Sequence, residues 1–148
     1  MQRLFGRKLA QNILAELKLE IQRRHLHPGL GVLLVGDDPA SEVYTLLKER
    51  EGKRIGVAVD RVVLPKDTAQ EMICQQIRAW NANPAIHGIL VQLPLPKTID
   101  TNAVIKTIDP RKDVDGFHPV NVQAFQNNTP GIRSPLFLAV EKFLDETH

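Results

Sequence analysis

Tyr44 and Lys48 lie four residues apart in SEVYTLLK, so on a helix they project a phenol and an amine from one face, with Ser41 one turn earlier. Partial burial disfavours an ammonium, which would let such a lysine transfer protons while the tyrosine ring stacks on a flat ligand. The spacing equally describes a surface lysine beside a half-buried tyrosine. Gln92 sits in VQLPLP, where Pro94 and Pro96 fix φ and stiffen the following turn. An amide held there can orient both an amine and a ligand without titrating, or it can simply end a strand. Asp113 and Asp115 stand two apart before a glycine in RKDVDGFHP. That pattern fits a carboxylate-lined ligand loop, a calcium-like fragment or a turn. The further oxygen ligands and closing glutamate of a calcium loop are missing. A carboxylate there would be a two-point acceptor for the paired N–H donors of a cyclic amidine such as a pterin. Paired-carboxylate glycoside chemistry would need a sugar cleft for which the sequence gives no argument.

The elements that must hold these side chains alternate. Leu9, Ile13, Leu14, Leu17 and Ile21 form a helical stripe that predicts a helix over residues 7–24, ended by Pro28 and Gly29. LGVLLV, residues 30–35, reads as a strand buried on both faces. Gly36-Asp37-Asp38-Pro39 then turns into a helix over 40–54, with an Asp cap and a first-turn proline, which Gly56 stops. A second strand is expected over 57–64 and a third, GILVQL, over 88–93. Between them Thr68 and Glu71 make a capping-box pattern opening a helix over 69–81. Asp100 or Thr101 caps a short helix to about 108, a polar loop fills 109–119, and Ser134 and Pro135 start a last helix. Strands alternating with helices imply parallel pairing, so the expected fold class is α/β: a three-layer α/β/α arrangement around a small, mostly parallel sheet. Ligands in such sheets bind beyond the carboxyl ends of the strands, where the loops 36–41, 93–99 and 112–119 would lie.

With 148 residues, 43% hydrophobic and 24% charged, the chain suits one globular domain. A net charge of +2 is too small to support non-specific nucleic-acid binding, and no apolar run approaches a membrane span. A soluble, cytoplasmic protein is expected. Arg3, Arg7 and Lys8 precede the first acid, Glu16, as they would in a transit peptide, but the apolar stripe continuing past them favours a helix of the fold. Cys74 is the only cysteine, which excludes an intrachain disulfide and a thiolate-rich metal site. His25, His27, His87, His118 and His148 are expected to be solvated loop residues, and no metal site is expected. Nucleotide-binding and serine-hydrolase motifs are absent. Short-chain dehydrogenases share the Tyr-x-x-x-Lys spacing but place it after a complete Gly-rich nucleotide fold, which does not precede it here.

In this order, VLLVGDDPASEVYTLLK, GILVQLPLP and DPRKDVDGFHPVN resemble the N-terminal catalytic domain of the bifunctional methylenetetrahydrofolate dehydrogenase/methenyltetrahydrofolate cyclohydrolase family. The resemblance covers nearly the whole chain. It implies that Tyr44 stacks on the folate, Lys48 is the catalytic proton-transfer group, Gln92 positions that lysine, and Asp115 holds the pterin, with Gln92 and the adjacent Leu93 in the substrate site. It implies residues 1–148 as a tetrahydrofolate-binding domain, with 134–147 the helix leading toward an NADP-binding Rossmann domain. That domain is expected to be absent from this chain, which should then retain cyclohydrolase activity at most. The resemblance also implies a homodimer. Departures from its pattern are Phe5, Gln123, Arg133-Ser134-Pro135 and Phe137, which bear on how the last helix docks. The alternative is a shortened, non-catalytic module that binds folate or a protein partner.

Overall fold

The computed structural model describes residues 6–145. Arg3, Phe5, His148 and positions 146–147 of the expected last helix lie outside the described residues. Three parallel strands, β1 (Gly29–Val35), β2 (Ala58–Leu64) and β3 (Gly88–Val91), pair in the order β2-β1-β3. β1 is central and buried along almost its whole length, as its unbroken apolar run requires. The helices are α1 (Gly6–Arg23), α2 (Pro39–Ile55), α3 (Gln70–Ala82), α4 (Thr101–Thr107), α5 (Pro119–Gln126) and α6 (Pro135–Asp145). α3 and α4 pack Ile73, Ile77, Trp80, Val104 and Ile105 onto Leu33, Val35, Ile89 and Val91, forming the main core. α2 covers the opposite face, and α1 lies against α2. The arrangement is therefore the expected three-layer α/β/α, with every strand pair parallel.

α2 is built as its sequence dictates. The Asp38 carboxylate accepts from Ser41 N at 2.7 Å, which holds its pKa below the ordinary carboxylate value, and Pro39 opens the first turn. Gly56, at φ 97°, closes the helix in a left-handed cap. Ser41, Thr45 and Ile55 are buried, and Lys48 falls on the same inward stripe, so its stem runs under the helix toward the sheet.

Four expectations need correction. Thr68 does not cap α3; the N-cap is Ala69, without a side-chain bond, because the helix starts one residue later than the Thr68–Glu71 pattern requires. Strand β3 ends at Val91, so Gln92 and Leu93 lie just beyond it, although Gln92 N still donates to Leu33 O at 2.8 Å. The segment before the last helix contains α5, capped by His118, whose Nδ1 accepts from Val120 N. Finally, His118 is partly buried as the cap of α5, whereas His87 stays exposed in its loop as expected, its Nδ1 accepting from Gly29 N at 3.0 Å and tying β1 to the turn before β3.

The loop after α4 behaves as a partial fourth strand. Asp113 bridges Ile89 in parallel fashion, with Ile89 N donating to Lys112 O at 2.6 Å. Gly88 permits this approach, for a Cβ there would come within 2.5 Å of Val114. Lys112 Nζ in turn donates to the carbonyls of Trp80, Asn81 and Asn83 at 2.9–3.0 Å, satisfying the open end of α3. Lys112→Met keeps the stem and removes all three bonds, so we expect it to cost roughly 1–3 kcal/mol. A urea midpoint equal to the wild-type value would refute that role.

Candidate functional site

The chain folds so that the loops after β1 and β3 and the loop of residues 112–116 meet at one end of the sheet, beside the middle of α2. Lys48 Nζ donates to Gln92 Oε1 at 3.0 Å across 44 residues of sequence. Gln92 Nε2 donates to Leu93 O at 2.8 Å, which fixes the amide so that its oxygen faces the amine. Leu93 packs against the core and precedes Pro94 through a cis peptide bond. The glutamine is thus held from both sides.

Asp115 is partly buried at the same corner. Burial pushes its carboxyl above the ordinary carboxylate value, the Lys48 charge pulls it down, and the Asp113 charge pushes it up again. A carboxylate in that position gains from ligand N–H donors that replace lost water. Tyr44 stands one turn before Lys48 on α2 and is 59% exposed as a residue, available for stacking from the solvent side. The structure therefore joins Lys48, Gln92 and Leu93 by hydrogen bonds and Asp115 to Lys48 by charge, while Tyr44 is linked to them through the helix alone.

Asp113 has a different position from its neighbour in sequence. It is 1% exposed, and its Oδ2 accepts from His118 N at 2.8 Å and Asn121 Nδ2 at 2.9 Å. Asn121, itself buried, carried no signal in the sequence, since α5 shows no clear apolar stripe to announce it. The corner is open rather than enclosed. A cavity of about 1060 Å³ lies elsewhere, between α1 and α6. Among the described residues no three His, Cys, Asp or Glu side chains are grouped so as to hold a metal ion. No helix among them is long and apolar enough to cross a membrane.

The start of α2 does not suit the pyrophosphate of a dinucleotide. The turn at the start of α2, where a phosphate would meet backbone N–H groups, carries Asp37 and Asp38, and the Asp38 carboxylate already occupies Ser41 N. Negative charge there opposes a pyrophosphate.

Residues 4–115 match the family model for the tetrahydrofolate dehydrogenase/cyclohydrolase catalytic domain. The bifunctional protein FolD of Methanospirillum hungatei is 47% identical over 130 residues, covering 88% of this chain and 47% of that protein. A methylenetetrahydrofolate dehydrogenase from the silkworm Bombyx mori superposes with a TM-score of 0.95 at 34% identity, covering 99% of this chain and 52% of the other. The methylenetetrahydrofolate dehydrogenase-cyclohydrolase of Trypanosoma brucei, solved with NADP and an inhibitor, gives 0.91 at 31% identity, with 99% and 52% covered. The chain spans about half the length of the curated relatives it matches.

Proposed function

The chain belongs to the tetrahydrofolate dehydrogenase/cyclohydrolase family, and from that premise we propose that it binds a tetrahydrofolate derivative at the Lys48 corner and hydrolyses 5,10-methenyltetrahydrofolate to 10-formyltetrahydrofolate. The observation that carries the reading is the Lys48–Gln92 bond, with Asp115 close enough to share its field. Asp115 accepts the paired N–H donors of the pterin, and Tyr44 stacks on the ring system. These contacts set the cationic methenyl carbon beside Lys48 Nζ.

Water then attacks that carbon. As its oxygen bonds to the carbon, the amine form of Lys48 accepts the water proton. The carbon–N5 bond breaks with return of that proton to N5, while the remaining hydroxyl proton leaves to solvent as the formyl carbonyl forms. The reaction consumes one water and releases one proton. Gln92, bonded to Leu93 O, holds the amine in line and does not titrate.

For the whole reaction cycle we propose NADP as the oxidant of methylenetetrahydrofolate, in line with the NADP held by the Trypanosoma brucei relative. It would supply hydride acceptance when bound. A cytoplasmic location and a homodimer are part of the same proposal. The alternative, a folate- or protein-binding module without catalysis, is disfavoured by the bonded lysine–glutamine pair, which binding alone does not need.

The test is hydrolysis of methenyltetrahydrofolate followed by its near-ultraviolet absorbance, together with calorimetry of tetrahydrofolate binding. Turnover above the buffer rate supports the enzyme reading. Binding without turnover would leave the module, and neither would remove the folate assignment.

A further inference from the structure

We propose that Asp113 and Asn121 are positioning residues for Asp115, their buried carboxylate–amide pair setting the loop that aims Asp115 at the substrate; the inference rests on the folate reading and assigns further residues to that site. The pair closes the loop on itself. Asp113 Oδ2 accepts from His118 N and Asn121 Nδ2, and the same Asn121 amide donates to Pro110 O at 2.8 Å. Asn121 therefore holds the chain before Asp115 at Pro110 and Asp113, and the Asp113 carboxylate holds the chain after it at His118 N. Asn121 Oδ1 also accepts from Ile132 N at 3.3 Å, which brings the chain entering α6 onto the loop. Gly116 makes that crossing possible. Its φ is +69°, and a Cβ would lie 2.9 Å from Ser134 N.

Burial gives the arrangement its specificity. Asp113 and Asn121 are 1% and 4% exposed, so a mismatched partner has no water to turn to. Meanwhile the parallel bridge between Asp113 and Ile89 fixes the loop backbone to the sheet that also presents Gln92. Asp115 is thus referenced to the same strand as the glutamine that orients Lys48. The charged groups acting on Asp115 are Lys48 from α2 and Asp113 from its own loop, so changing Asp113 alters Asp115 by charge as well as by geometry.

Three variants separate positioning from mere stability. Asn121→Asp sets two carboxylates against each other, Asp113→Asn removes the charge, and the double exchange restores a carboxylate–amide pair. Calorimetry with tetrahydrofolate is expected to show affinity falling roughly tenfold or more in Asn121→Asp and recovering in part in the double variant, which regains the pair but leaves Pro110 O without its donor. Ile77→Val, a core change on α3 with a comparable loss of stability, should bind as wild type. Equal affinity in a folded Asn121→Asp, or a double variant no better than the single, overturns the proposal. Should Asn121→Asp fail to fold, Asp113→Asn carries the test. Its Asp115 carboxyl, followed by NMR, is expected to titrate at lower pH and its affinity to drop, and wild-type values for both would refute the role. If the wild-type chain binds no tetrahydrofolate, the folate reading fails, whereas the NMR titration still reports whether Asp113 and Asn121 govern Asp115.

Discussion

Lys48→Met is expected to leave the fold and the affinity for tetrahydrofolate close to wild type while lowering methenyltetrahydrofolate hydrolysis by roughly 10²–10⁴-fold. Methionine matches the lysine stem in length and packs in the same slot beneath α2, so structural damage is small. What it removes is the group that bonds Gln92 Oε1 and can take a proton from water. Gln92→Ala is the milder relative of this change, because the amine survives but loses its anchor. Equal initial rates for wild type and Lys48→Met, measured in a buffer that does not itself catalyse the hydrolysis, would end the catalytic assignment.

Asp115→Ala is expected to weaken tetrahydrofolate binding roughly 10- to 100-fold, the range for losing hydrogen bonds to a charged, partly desolvated acceptor. The change also has a pH signature. Burial raises the Asp115 pKa above its ordinary 3.8, so in the ligand-free chain the neutral acid persists to higher pH than in the unfolded chain. Folding stability therefore falls as pH rises from the unfolded value through the folded one, and levels off above it. Ligand N–H donors favour the carboxylate, so affinity should rise through the same window with release of a proton on binding. Calorimetry in buffers of different ionisation enthalpy reads that proton directly. In Asp115→Ala both the pH dependence and the proton disappear. An unchanged pH profile in the variant would assign the titration to another group.

Periodicity made the scaffold readable. The run LGVLLV could only be a doubly buried strand, and Asp38-Pro39 with Gly56 marked both ends of α2 to within a residue. Signals failed where a local pattern competes with geometry. Thr68 and Glu71 have the right types for a capping box, yet Ala69 occupies the cap because the chain leaves the Pro65 turn one residue later. PVNVQAFQ has neither an apolar stripe nor a usual cap residue, so α5 escaped notice, and with it Asn121. The Lys48–Gln92 contact could not follow from spacing. It requires β1 and β3 to be neighbours, a pairing that only the folded topology, or the family resemblance, supplies. Likewise Asp113 and Asp115 look equivalent in DVDG, while the fold buries one beneath the loop and turns the other toward the corner.

The two flanking helices differ from the rest in a way that reaches beyond the site. Neither α1 nor α6 has a buried side chain, and they face each other across the broad cavity with Leu17, Leu136 and Val140 exposed. Phe137 meets Phe125 edge-on at 4.6 Å, Arg133 lies over Phe137 and pairs with Glu141 at 3.3 Å, and the Phe143 ring lies against Gly6 of α1. Backbone amides along these two helices should exchange with deuterium well before those of β1, β3 and α3, where opening demands disruption of the shared core. Transient fraying at that end leaves the lysine, the glutamine and the strands beneath them standing, which makes the chemistry kinetically insulated from the least durable part of the molecule.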